Sequence, residues 1–277
     1  MSPTTKTTSP TSTSWTRSKK KNSTRMTTND SPRLDHRLDV ARIEVVSFDL
    51  DGTLLDSRAA WRAGFAAPFA RLAQRYPALL TLGDPAHVHD DIYQPFLMTI
   101  WERTRGEWSP DYERDGWRML LEHHATADIA AADAAFEEYN AAWPPLMQLF
   151  EESLAVLEAV QARYPLILLT NGNAAEQRMK IVMHDLERWF RHVVVSEEVG
   201  LLKPDPAIFA HAIAPLGVLP QAALHIGDTR SQDIAGARAA GWQSAWVNRS
   251  GAPSNLDEHH PDVELTSLDE LVRLLGL

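Results

Sequence analysis

The stretch Glu44-Val45-Val46-Ser47-Phe48-Asp49-Leu50-Asp51-Gly52-Thr53 decides how this chain is read. Its first half is short, apolar and β-branched, as a buried strand should be, and Gly52 marks the turn that ends it. Asp49 and Asp51 are thereby set two residues apart at the carboxyl end of a strand. Open parallel α/β sheets gather their chemistry there. Carboxylates this close repel one another unless a cation or a shared proton relieves them. The pair suits one Asp acting as nucleophile beside a metal and the other carrying a proton.

Working outward, the pattern changes on either side of this strand. Residues 58–150 read as helical: Ala-rich, charged and Trp-rich, broken at Pro77, Gly83-Asp84-Pro85, Gly106 and Ser109-Pro110, with no convincing strand. From Glu151 strands and helices alternate. Leu154, Leu157 and Val160 mark a helix face, Leu166–Leu169 a buried strand, 174–184 a helix and His192–Val195 a strand. Asp205-Pro206 opens a further helix, with Asp as cap and Pro at its first position. Ala223–Ile226 is the next strand, 231–240 a helix, Gln243–Val247 the last core strand and Ser267–Leu275 a closing helix. Strands alternating with single helices predict an α/β fold with a parallel sheet covered on both faces. The expected organisation is a catalytic core of residues 43–57 and 151–277, a helical cap inserted at 58–150, and a tail at 1–42.

That tail is a different material. Residues 1–42 carry a net charge of +6, leaving −16 for the remainder of a chain whose total is −10. The first 30 residues are Ser, Thr, Lys and Asn with few apolar side chains, which predicts disorder; Met26 is a candidate start. An acidic body argues against nucleic-acid binding by the folded part. No apolar run reaches the roughly 20 residues of a membrane span, and no signal-peptide segment follows Met1. Cysteine is absent, which removes disulfides and thiolate chemistry and fits a cytoplasmic protein.

Polar residues stand at four strand ends. Asp49 and Asp51 follow the first, and Thr170-Asn171-Gly172 the second. Lys203 lies in the loop Leu201-Leu202-Lys203-Pro204 beyond the third, and Asp228 with Asp233 follows the fourth. Each alone has an ordinary explanation as a turn, a helix cap or a solvated lysine. In one parallel sheet these ends face a common crevice, and together they describe a site.

These segments resemble the four motifs of the haloacid dehalogenase superfamily of hydrolases, matched in order by Asp49-Leu50-Asp51-Gly52-Thr53-Leu54, Thr170-Asn171, Lys203-Pro204 and Gly227-Asp228-Thr229-Arg230-Ser231-Gln232-Asp233. The resemblance spans nearly all of residues 43–250 and implies a Rossmann-like core with a mobile helical cap inserted after the first motif. It also implies a Mg²⁺-dependent phosphomonoesterase. Asp49 would be the nucleophile that forms an aspartyl-phosphate, and Asp51 the acid and then base, its protonated form favoured in part of the cycle by crowding from Asp49 and Asp228. Mg²⁺ would be held by the side chains of Asp49 and Asp228 and the main-chain carbonyl of Asp51. Asp233 would order the metal site or Lys203, and Lys203, Thr170 and Asn171 would compensate the phosphate charge.

Dehalogenases of the superfamily lack the second Asp of the first motif, because no alkoxide leaving group needs a proton. Asp51 therefore favours a phosphatase, with a dehalogenase-type hydrolase or a non-catalytic binding protein on the same fold as alternatives. The core segments also resemble flavin mononucleotide phosphatases, pyrimidine 5′-nucleotidases and acylneuraminate-9-phosphatases. The expected substrate is accordingly a small phosphorylated metabolite, flavin mononucleotide or a nucleoside monophosphate among the candidates, handled by a monomer or homodimer. Trp61, Trp101, Trp108, Trp117 and Trp143 lie in the cap. Most are expected to pack its helices, with Trp61, ten residues after Asp51, a candidate for the substrate edge.

Overall fold

A computed structural model of the chain describes residues 38–103, 112–253 and 259–277; for 101–103 only the backbone is described. The tail expected at 1–42 therefore lies almost wholly outside the described residues, as does Trp108 and the side chain of Trp101. Six strands form one parallel sheet: β1 Val45–Phe48, β2 Leu166–Thr170, β3 His192–Val195, β4 Ala223–Gly227, β5 Gln243–Val247 and β6 Val263–Leu265, in the spatial order β3-β2-β1-β4-β5-β6. The fold is α/β and Rossmann-like.

Side-chain alternation explains the two faces. In β1, β2 and β4 the residues Val46, Phe48, Leu166, Leu168, Leu224 and Ile226 feed one core, while Val45, Ile167, Leu169 and Ala223 feed the other. Both faces are covered, so the strands are apolar almost throughout. The second core is closed by α9 (Pro206–Ile213) and α10 (Ala235–Ala239) through Ile208, Phe209, Ala212, Ile213 and Ala237. The first takes α6 (Ser153–Gln161) and α11 (Asp269–Leu275).

Three sequence expectations need correction. Gln243–Val247 is not the last strand: β6 pairs with it, Ala245 against Val263 and Val247 against Leu265. Three residues at a sheet edge are too few for a legible period. The helix expected at 231–240 is present, but its first turn, Arg230–Ile234, is π-type and runs directly into the short α10. Leu154 is 40 % exposed, because α6 buries Ser153, Val156, Leu157 and Val160 instead.

Between β1 and β2 the described backbone is helical: α1 (Ser57–Arg75), α2 (Pro85–Val88), a π-type turn at His89–Tyr93, α3 (Gln94–Arg103), α4 (Tyr112–His124) and α5 (Ile129–Ala142). α1 starts on the Asp56 side chain, which accepts from the Ala59 amide at 3.2 Å, and α5 starts on Asp128, which accepts from the Ala131 amide at 3.0 Å. The block has an aromatic centre in which Phe65 stacks on Trp117 at 4.5 Å between ring centroids, with Tyr93, His89 and Tyr139 around them. Trp117 and Trp143 are buried packing residues. Two further short helices complete the core, α7 (Ala174–Met183) after β2 and α8 (Ser196–Val199) after β3. No helix of the described residues is long and apolar enough to cross a membrane.

Candidate active site

The chain runs outward through β1, β2 and β3, then returns to lay β4 against the other side of β1. That reversal leaves a crevice beyond the carboxyl ends of β1 and β4, the place where open sheets bind ligands. Asp49 leaves β1 and Asp228 leaves β4 into this crevice. Between them the backbone turns at Gly52 (φ +78°); a Cβ there would sit 2.3 Å from Asp228 Oδ2, so only glycine lets the two loops approach.

One carboxylate oxygen each from Asp49, Asp228 and Asp233 falls within 4.8 Å of the others. Their environments separate them. Lys203, 2 % exposed, donates to Asp49 Oδ1 and to Asp233 Oδ1, both at 2.6 Å. Asp233 is further held by the Thr229 amide at 2.9 Å and by His225 Nε2 at 3.1 Å. Burial alone would raise the Asp233 carboxyl, but Lys203 and His225 hold it well below the usual range. Asp233 is thus a fixed anion that anchors Lys203. Asp49 and Asp228 lie at the other extreme. Burial, then neighbouring carboxylates only partly offset by Lys203, raises Asp49, while burial and then Asp233 push Asp228 up to about 7. Buried Asp49, which has only a share of Lys203, and half-buried Asp228, with no ion pair among the described residues, present hard oxygen donors that fit a divalent cation such as Mg²⁺.

Thr170 and Asn171 close the β2 side. Asn171 Nδ2 donates to the Lys203 carbonyl at 2.9 Å and to Gln232 Oε1 at 3.0 Å, while its Oδ1 accepts from the Lys203 amide at 2.8 Å. Its amide therefore staples the lysine loop. The Thr170 hydroxyl is buried and receives Gln177 Nε2 at 3.3 Å.

Asp51 differs from both. Its protonated form is expected only in part of the catalytic cycle, and in this structure its carboxyl is held below the usual range. Burial pushes it up, but the Lys180 ammonium, 2.9 Å from both carboxylate oxygens, outweighs this, helped by the Ser57 hydroxyl and by Gln177 Nε2 at 2.8 Å. Lys180 is buried and also pairs with Glu176 at 2.6 Å. Its Nζ lies 5.1 Å from the Trp61 ring centroid and 5.5 Å from that of Trp143. Sequence reasoning missed Lys180, Gln177 and Glu176, as it missed Ser57, His225 and Glu113. A signal was present for the first two: Gln177, Lys180 and Ile181 form the buried face of α7, where helical periodicity asks for apolar residues.

A cavity of about 170 Å³ opens beside Asp51. Sheet-side residues Asn171, Glu176 and Gln177 line one wall, and Trp61, Leu97 and Glu113 of the helical block the other. Burial and the neighbouring Glu176 push the Glu113 carboxyl up to about 8, against the pull of Lys180.

The haloacid dehalogenase-like hydrolase family model matches residues 43–241. The chain belongs to that family. Its relatives include a phosphoserine phosphatase of Thermus thermophilus, 34 % identical over 83 % of this chain and 98 % of the relative. The N-acylneuraminate-9-phosphatase of Homo sapiens is 30 % identical over 85 % of this chain and 95 % of the relative. Among solved structures, the magnesium-bound hydrolase YfnB of Bacillus subtilis superposes with a TM-score of 0.68 at 25 % identity, over 85 % of this chain and 100 % of that one. Solved dehalogenases share the fold.

Proposed function

We propose that this phosphatase hydrolyses a small phosphomonoester in two steps, with Asp49 as nucleophile and Asp51 as acid and then base. The observation that carries this reading is the separation of roles among four carboxylates at one switch point. Asp233 is fixed by Lys203 and His225, Asp49 shares that same Lys203, Asp228 has no ion pair among the described residues, and Asp51 is held on its own supports. The Asp49 carboxylate attacks phosphorus, and the bond to the leaving oxygen breaks as Asp51 gives that oxygen a proton. The arriving phosphate dianion adds negative charge beside Asp51 and offsets Lys180, which restores its capacity to hold that proton. Asp51 then takes a proton from the water that cleaves the aspartyl-phosphate, releasing inorganic phosphate and free Asp49.

Mg²⁺ would be held by the Asp49 and Asp228 side chains with the Asp51 carbonyl, and when bound it neutralises phosphate charge as a Lewis acid. Lys203 adds a fixed positive charge next to the attacking oxygen, and the Thr170 hydroxyl offers a donor to the phosphate. Asp233 and Asn171 hold Lys203 in place. The helical block, acting as a cap, excludes water and reads the leaving group. A cavity of about 170 Å³ suits a compact leaving group better than the flavin or nucleoside suggested by core resemblance, since sites for drug-sized ligands span roughly 300–1,000 Å³. A dehalogenase would have no use for Asp51 or for the Lys180, Ser57 and Gln177 that hold it.

Hydrolysis of p-nitrophenyl phosphate with and without Mg²⁺ tests the reading directly. Metal-dependent turnover that Asp49→Asn abolishes, with a phosphoryl group trapped on Asp49 in single-turnover mass spectrometry, is the expected result. A phosphoryl group on any other residue would falsify it.

A further inference from the structure

Resting on the phosphatase reading, we infer that the preferred substrate is the phosphate ester of an amino alcohol, its ammonium group received by Glu113 and Glu176. The cavity beside Asp51 is where the leaving group must lie, because Asp51 is the residue that protonates it. The charge on its wall is one-sided. Asp51, Glu113 and Glu176 contribute three carboxylates, and Lys180 is the single ammonium among them. Asp51 and Glu176 already pair with Lys180. Glu113 makes no side-chain hydrogen bond or ion pair among the described residues, although it lines the cavity. No described residue that lines the cavity is Lys or Arg.

An independent observation points the same way. Gln177 is 2 % exposed and lines the same cavity. Its Nε2 donates to Asp51 and the Asn171 carbonyl, both at 2.8 Å, with Thr170 Oγ1 a weaker third contact at 3.3 Å, which fixes the orientation of the amide and leaves Oε1 as a buried acceptor without a donor. The wall also has amide and hydroxyl groups of both kinds, from Gln94, Tyr112, Asn171 and Gln232, but its charged groups are all acidic. Trp61 adds an aromatic surface, and the volume of about 170 Å³ limits the guest to a few heavy atoms beyond the phosphate. A guest that brings N–H donors and a positive charge fits this wall, because its ammonium would stabilise the ionised form of Glu113, whose carboxyl is otherwise raised to about 8. A guest bringing a carboxylate or a second phosphate would meet uncompensated negative charge.

Four esters separate the possibilities in initial-rate assays with Mg²⁺: phosphoethanolamine, its uncharged isostere n-propyl phosphate, phosphoserine with its added carboxylate, and p-nitrophenyl phosphate. Charge-assisted pairing predicts a kcat/KM for phosphoethanolamine about tenfold or more above n-propyl phosphate, expressed mainly in KM, and above phosphoserine as well. In Glu113→Gln the ratio between phosphoethanolamine and n-propyl phosphate should fall towards one. Equal or better turnover of n-propyl phosphate or phosphoserine by the unaltered protein, with p-nitrophenyl phosphate hydrolysed, overturns this inference alone. A ratio retained in Glu113→Gln overturns the part given to Glu113. Failure to hydrolyse p-nitrophenyl phosphate overturns the phosphatase reading, and this inference with it.

Discussion

Lys180 shows how much of this site a single buried side chain organises. Its ammonium holds Asp51 and Glu176 and lies within reach of two indole rings, so removing it leaves two carboxylates without their cation. Lys180→Met should lower stability by about 3 kcal/mol, towards the lower end of the range for broken buried pairs because both partners keep some contact with solvent. Denaturant unfolding measures this, and a change below about 1 kcal/mol would show that the pair contributes little. Glu113 supplies a test by pH. Its carboxyl is raised from an ordinary 4.5 to about 8, so the native state binds a proton that the unfolded chain releases across that window. Its contribution is complete below about pH 4.5 and is lost as pH rises through about 8. Glu113→Gln should therefore flatten the decline of melting temperature between these values; an unchanged slope would mean that Glu113 titrates normally. That Asp49, Asp51 and Asp228 meet in one crevice was legible from the sequence because each stands at or just beyond a strand end. Lys180 and Glu113 were not, because their roles depend on what a distant segment brings against them.

At the scale of elements, the helical block is joined to the sheet by close packing as well as by chain connection. α1 reaches the segment after α5 at Gly64, where a Cβ would lie 2.8 Å from Trp143 Cβ and 3.0 Å from the Trp143 amide nitrogen. Those atoms belong to the backbone and to the root of a buried side chain and cannot rotate away. Gly64→Ala gains helix propensity worth up to about 1 kcal/mol, yet overpacking costs typically 1–3 kcal/mol. The net expectation is a destabilised protein, with p-nitrophenyl phosphate turnover altered because Trp143 also contacts Lys180. A stabilised Gly64→Ala would show that α1 slides past Trp143 without strain. Most core elements were readable from their period: β3 and β5 lie where the apolar runs placed them, and Asp205 caps α9 by accepting from the Ala207 amide at 2.8 Å. β6 and the π-type turn at Arg230–Ile234 were not, since one is too short for a period and the other is shaped by Asp233 turning back onto Lys203 and His225.

For the molecule as a whole, the acidic crevice ties folding to pH and, on the proposed reading, to a divalent cation. Asp228 is raised from an ordinary 3.8 to about 7, so without metal its stabilising proton is lost as pH rises through that value. A cation bound only by the folded state reverses the loss. At about a hundredfold excess over its Kd it contributes about 2.7 kcal/mol, or roughly 5–10 °C in melting temperature for a chain of this size. Mg²⁺ added at pH 8 should produce that shift, and Asp228→Asn should remove most of it; an equal shift in the variant would place the cation elsewhere. What the sequence determined by itself was local: strand, turn and cap chemistry follow from neighbours along the chain, so the α/β pattern, the helical insertion and four motif-bearing strand ends could be read directly. Tertiary structure alone decided the state of each carboxylate and the character of the cavity beside Asp51. Those depend on Lys180, Gln177, Glu113 and Trp61, which lie far apart in sequence, and electrostatic energy depends on distance in space and exclusion of water, neither of which is written in the order of residues.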